Sequence, residues 1–384
     1  MKKFLCGALC FLLCSTLGGC LRRTEIADTA IIQAVGIDIE NDEYIVTLQK
    51  FSSGGSGGQT PVDIGKNNRI ILQERGKSIS EALEKIGLQT GRELFLSANH
   101  VIVIGRTTAE QGIQPIISFF NSNHQTKPDT HLLISKTTAA DIVTLNLQQG
   151  IVPADNINRL LKHNSFNSRI ISTSLMDVVS ALNNRLTDPY IPIAEILTDV
   201  DGNPALKLDG TAIFKGDKKT DSLSPIETVG LIFLNNNVDM LLIDISTPDT
   251  GTVSLRLNNS DTRFKVRIEN EVPVYTVIVK CEAAINQVVP TSGSSTSISQ
   301  LPQLEKAANL KIAQLMKNTI QKSVYKQNCD VFKLTKHLKQ KQPYYWKTHI
   351  EQLDEINSQS RFEFIVECNI NRIGKESRYS FTEF

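Results

Sequence analysis

Residues 100–148, HVIVIGRTTAEQGIQPIISFFNSNHQTKPDTHLLISKTTAADIVTLNLQ, decide the fold. "HVIVIG" is an unbroken apolar run rich in β-branched residues, the pattern of a short strand covered on both faces. "TAEQGIQPIISFFNSN" reads as a helix, "THLLISK" as a second compact strand, and "TAADIVTLNLQ" as another helix. Strands alternating with helices in this way predict an α/β layer in which helices cover a mixed sheet.

The preceding segments extend that layer. "AIIQAVGIDI" and "EYIVTLQKF" are strand-like runs separated by Glu40-Asn41-Asp42, a hairpin turn. "SSGGSGGQTP" is a flexible loop; without a lysine-Ser/Thr pair and a following helix it is no phosphate cradle. After the strand-like "NRIILQERG", Ser78 is placed to cap a helix bearing Ile79, Leu83 and Ile86, with Glu81 three residues after the cap and an end near Gly91. "SLMDVVSALNNRL" carries Leu175, Val178, Val179 and Leu182 on one face of a further helix.

Periodicity breaks over "DPYIPIAEILTDVDGNPALKLDG", and the main boundary is placed near residue 200. Asp199 and Asp201 read as part of a turn, because the further oxygen ligands of a calcium loop do not follow. Beyond it, "GTAIFKGDK", "TVGLIFLNN", "GTVSLRLNN" and "RFKVRIENEVPVYTVIVKCEAAINQVV" read as successive strands. Arg263, Lys265, Arg267 and Glu269 alternate as on a sheet with one wet face. A Ser/Thr-rich break at 291–300 leads to the longest helix signal, with Leu304, Ala308, Ile312, Leu315, Thr319 and Ile320 on one face and Lys306, Lys311, Lys317 and Lys322 on another. A helix packed on the preceding sheet is expected over one lying on a membrane. "RFEFIVECNINRIG" closes the chain as a strand. The fold class is α/β mixed: mixed sheets flanked by helices, with residues 20–200 an N-terminal α/β region divisible into two subdomains, and 201–384 a C-terminal sheet with the long helix.

The chain begins with Lys2 and Lys3, an apolar run from Phe4 to Leu17, and then Gly18-Gly19-Cys20. That run is shorter than the ~20 residues of a membrane span and has the form of a secretory signal peptide, residues 1–19. Leu17-Gly18-Gly19-Cys20 resembles the lipobox of bacterial lipoproteins, which makes Cys20 the lipidated first residue of the mature protein. Arg22 and Arg23 follow directly, where they are either solvated or against anionic headgroups. The covalent lipid is the only non-protein group implied; no cofactor or metal is.

The 384 residues are 40% apolar and 21% charged with net charge +1, a globular composition that gives no basis for nucleic-acid binding. Beyond Cys20 only Cys281, Cys329 and Cys368 remain, too scattered for a disulfide framework; they read as mostly core thiols, with room for one pair. His100, His124, His131, His163, His337 and His349 fall in no H-E-x-x-H, and neither G-x-S-x-G nor a P-loop occurs, so no catalytic residue is nominated.

"TAIIQAVGIDIENDEYIVTLQ", "GRELFLSANHVIVIGRTTAEQGIQPIISFF", "LKLDGTAIFKGDKKTDSLSPIETVGLIFLNN" and "NCDVFKLTKHLKQKQPYYWK", in this order, resemble the Ger(x)C family of spore germination lipoproteins. The resemblance implies three mixed α/β domains and a non-enzymatic C subunit of a nutrient germinant receptor, on the outer face of the spore inner membrane. It also implies association with an integral-membrane A subunit and a transporter-like B subunit, the nutrient binding to the partners. Two departures stand out: Asn121-Ser122-Asn123 where many relatives have an arginine and an acidic residue, and a lone tryptophan, Trp346. Gly36, Gly105 and Gly210 read as structural, and Asp330 and Trp346 as orienting the C-terminal helix rather than forming a ligand site. Two other classes stay open from the residues: a solute-binding lipoprotein that captures the nutrient itself, against which stands the lack of two hinged doubly wound lobes, and a lipoprotein hydrolase.

Overall fold

The structure, a computed structural model, describes residues 29–51, 69–147, 153–162, 168–184, 186–248, 250–289, 300–373 and 376–377. The signal peptide, Cys20, the glycine-rich loop, His163 and nearly all of the Ser/Thr-rich break lie outside the described residues.

Two sheets organise the chain. The first has the order β3-β2-β1-β5-β6-β7-β8-β9, with a short β4 also paired to β1. Its strands are β1 (Thr29–Glu40), β2 (Glu43–Phe51), β3 (Arg69–Gly76), β4 (Glu93–Phe95), β5 (Val101–Ile104), β6 (His131–Ser135), β7 (Tyr190–Thr198), β8 (Pro204–Lys215) and β9 (Lys218–Leu223). The central pairs β1/β5, β5/β6 and β6/β7 are parallel, whereas both flanks are antiparallel hairpins. The quoted stretch supplies the reason. In "VIVI" every residue is buried, Ile102 and Ile104 in one apolar cluster, Val101 and Val103 in another, because successive side chains point to opposite faces and both faces are covered.

One face carries α1 (Ile79–Thr90), α2 (Arg106–Gln111), α3 (Gln114–Ser122) and α6 (Leu175–Asn184); the other carries α4 (Ala139–Thr144) and α5 (Pro153–Lys162). Helix α1 has the expected ends: Ser78 Oγ accepts from Glu81 N, and Gly91 at φ 58° closes it. The single helix expected after β5 is two, broken at Gly112 (φ 140°), where Ile113 N–H donates to Asp217 C=O, 2.9 Å away. Helix α4 is shorter than expected, because Arg69 draws the carbonyls of Thr144 and Leu145 out of the helical ladder. Its start is doubly capped, by Thr138 and by Asp38, whose carboxylate accepts from Ala139 N (2.8 Å) and Ala140 N (3.0 Å). A Cβ on Gly105 would fall 1.9 Å from that carboxylate, which explains the glycine ending "HVIVIG".

The second sheet has the order β10-β11-β12-β13-β14, formed by Met240–Thr247, Gly251–Glu269, Val272–Val289, Arg361–Ile373 and Glu376–Ser377. One face is wet, with Arg267 bridging Glu269 and Glu363; the other packs on α7 (Pro225–Leu234) and α8 (Leu301–Ile320). The face of α8 read from spacing is the buried one, and the helix lies against this core. "TVGLIFLNN" is a correction: it is helix α7, not a strand. Its apolar run is buried all round, which erases the amphipathic signal, while Ser224 and Glu227 form a capping box that starts the helix.

The break near residue 200 is a turn, Asp199 Oδ1 accepting from Asp201 N (2.9 Å) and Asn203 N (2.8 Å), and the strands on either side of it, β7 and β8, pair with each other.

Candidate functional site

Where the two sheets' surroundings meet, the segment before β7 is tied to the segment before α9 (Leu334–Lys341). Asp188 N–H donates to the Asp330 carbonyl at 2.7 Å, and Asp330 N–H donates to Asp188 Oδ2 at 2.7 Å. Thr187 Oγ1 adds a second donor to the same carbonyl at 2.8 Å, and Gly216 N–H donates to Asp188 Oδ1 at 3.0 Å. Lys215 spans the gap, its Nζ 2.6 Å from Asp354 and 3.5 Å from Asp188. Burial alone pushes the Lys215 pKa down; the neighbouring Asp188 and Asp354 outweigh it and leave it raised.

Asp330 itself is buried. Its Oδ1 accepts from Leu334 N (2.7 Å) and its Oδ2 from Thr335 N (2.8 Å), so it caps α9 from four residues upstream while Lys333 takes φ 61°. Burial pushes its pKa up to about 6, against the pull of the two N–H donors and with Asp188 adding to the rise. Asp330 thus orients a helix, as expected, but the one it caps is α9, which the helices Pro343–Thr348 and Leu353–Gln359 follow. Trp346 sits in α10 (Pro343–Thr348), packed on the second core, with Lys339 Nζ 4.6 Å from its ring centroid.

These groups line a cleft of about 890 Å³ that opens beside Asp188, Lys215, Asp330, Lys339, Trp346 and Asp354. Charges of both signs around one aromatic wall can hold a small polar molecule, and the shared hydrogen bonds can carry strain between the two halves. Sequence reasoning missed Asp188 and Lys215. The only local signal at Asp188 is its place before Pro189, and Lys215 stands in "IFKGDK" as an ordinary exposed cation.

Cys20, the lipidation residue, lies outside the described residues. Cys281, Cys329 and Cys368 are buried free thiols, and Cys281 is the cross-strand partner of Cys368 in the parallel β12/β13 pair. The adjacent Cys281 thiol, then burial, holds Cys368 protonated far above the usual thiol range; burial pushes Cys329 up to about 12. His337 is stacked on Phe264, and His349 on Tyr345. Among the described residues no group of three or more His, Cys, Asp or Glu side chains is arranged to hold a metal ion, and no helix is long and apolar enough to cross a membrane.

The chain matches two family models in succession, the spore germination protein N-terminal domain over residues 22–196 and the spore germination B3/GerAC-like C-terminal domain over residues 209–374. It is similar to three Bacillus subtilis proteins. Spore germination protein KC is 26% identical over 375 residues, 90% of either chain. The putative spore germination protein YfkR is 28% identical over 285 residues, 71% of this chain and 72% of that one. Spore germination protein B3 is 23% identical over 371 residues, 95% of this chain and 96% of that one. The fold is that of the GerBC protein crystal structure, with a TM-score of 0.57 at 18% identity over 88% of this chain and 96% of that chain. With both halves matched in order along one chain, and the mixed two-sheet fold shared with a solved relative, this chain belongs to the Ger(x)C family of spore germination proteins.

Proposed function

We propose that the protein is the lipid-anchored, non-enzymatic C subunit of a nutrient germinant receptor. On this reading Cys20 carries the lipid, the body sits on the outer face of the spore inner membrane, and it works beside an integral-membrane A subunit and a transporter-like B subunit that bind the nutrient. The observation that carries the reading is the succession along one chain of a lipobox-like Leu17-Gly18-Gly19-Cys20 and both family domains. The reciprocal Asp188–Asp330 bonds support a part in passing a change between partners, because they make the two halves respond together. The test is a spore strain whose own copy carries Cys20→Ala. The protein should leave the inner-membrane fraction on immunoblots, and the response to one nutrient class, followed as loss of refractility, should fall. Retention in the membrane with normal germination would sink the reading.

The cleft beside Trp346 favours a second reading, a solute-binding lipoprotein, since its volume lies in the ~300–1,000 Å³ range of small-molecule sites. Calorimetry of the purified body with amino acids and sugars separates the two: heat saturating at one equivalent supports direct capture, and none supports the subunit.

A further inference from the structure

The chain arriving from Cys20 enters the fold at one end of the first sheet. There Thr29, Ala30 and Ile31 of β1 pair with Glu93, Leu94 and Phe95 of β4. Strand β2 ends and β3 begins at this same end, where Ile70 and Ile32 both pair with Lys50. Helix α1 finishes here too, and with β4 and the end of α3 it encloses an open groove of about 500 Å³. Leu83, Leu88, Leu94 and Phe119 form its apolar wall. Leu88, on the groove's rim, is 79% exposed. A large apolar side chain presented this openly on the rim of an apolar groove marks a contact surface rather than scattered exposure.

Chain length identifies the occupant. Nine peptide steps separate Cys20 from Thr29, which reach at most about 30 Å when fully extended. A lipid on Cys20 therefore holds this end of the sheet near the bilayer, whichever way the body turns. Glu84 and Glu93 stand with Arg92 around the groove, so the rim has no net positive charge to draw anionic headgroups, and its apolar side chains are what a lipid interface would accept. We propose that the groove between α1, β4 and α3 is the membrane-facing surface of the protein, with Leu88 inserted among the lipid headgroups. This rests on the lipid-anchor reading and adds an orientation to it: the strands of the first sheet stand with the β1 entry end toward the bilayer.

The experiment uses the full lipidated protein in phosphatidylcholine vesicles, with an environment-sensitive fluorophore on Leu88→Cys or, as the distant control, on Leu197→Cys. Leu197 lies in β7 next to the Asp199 turn, at the opposite end of the sheet. The native thiols Cys281, Cys329 and Cys368 are buried, and unsubstituted protein gives the labelling blank. Lipids brominated along the acyl chain should quench the Leu88 label about twofold or more, as expected for a group about 5–10 Å into the interface, and leave the Leu197 label unchanged. Equal quenching at both positions, or a blue-shifted Leu88 label that bromine does not quench, overturns the orientation while vesicle flotation keeps the anchor. Failure of the protein to float with vesicles overturns the anchor and the orientation together.

Discussion

Asp188 and Asp330 hold each other through two 2.7 Å hydrogen bonds in opposite senses, each backbone N–H donating to the other residue, one to a carboxylate and one to a carbonyl. Residues 142 positions apart in sequence are thereby locked into one unit. Asp188→Ala removes the acceptor of two backbone donors and one partner of Lys215, and should lower unfolding free energy by about 2–3 kcal/mol, with Asp188→Asn costing less. Urea unfolding of the purified body checks this, and an unchanged midpoint for Asp188→Ala would remove the lock from the account.

Stability should respond to pH through two groups of opposite sense, one half-buried and one buried. Burial, with Lys336, Lys333 and Lys341 nearby, pushes the His337 pKa down to about 4, whereas an unfolded histidine titrates near ~6.5. Between these values the unfolded chain binds a proton that the folded chain refuses, so stability is lost as pH falls through that window. Asp330 is the reverse, about 6 folded against ~3.9 unfolded, and its contribution is lost as pH rises from about 4 to 6. Denaturation at a series of pH values should show His337→Phe gaining on the wild type as pH falls, and Asp330→Asn losing most, relative to wild type, at the acid end. Parallel curves would contradict both assignments.

Helices α7 and α8 touch at Gly230. A Cβ there would lie 2.2 Å from Thr319 Oγ1 and 2.4 Å from the Leu315 carbonyl. Gly230→Ala should destabilise by about 3 kcal/mol. Adding Thr319→Ala should restore little, because the Leu315 oxygen belongs to the backbone; full rescue in thermal melts would show that the helices can separate.

The three body cysteines should resist alkylation in the folded protein and react together in urea, counted by intact mass. Rapid labelling of Cys281 or Cys368 under native conditions would mean that the β12/β13 pairing opens readily.

Much of the fold was legible in the sequence where one face of an element is apolar. The α8 stripe and the α1 caps at Ser78 and Gly91 were read from spacing alone. Where an element is apolar all round, periodicity says nothing: α7 passed for a strand although "SPIE" announces its start. Helix ends set by distant groups were equally hidden, as at Gly112 beside Asp217 and Thr144 beside Arg69. The junction was half legible. Asp330 stands out in the family-like stretch "NCDVF" as a helix-orienting residue, but Asp188 and Lys215 gain their role only when chain segments far apart are brought together.

The hairpin between β7 and β8 bears on how the chain is made. The chain emerges amino end first, so residues 190–198 stand as a bare edge until residues 204–215 follow and zip against them. The short Asp199–Asn203 turn keeps that wait to a handful of residues, and a chain interrupted there would leave a sticky rim able to recruit the missing strand from another molecule.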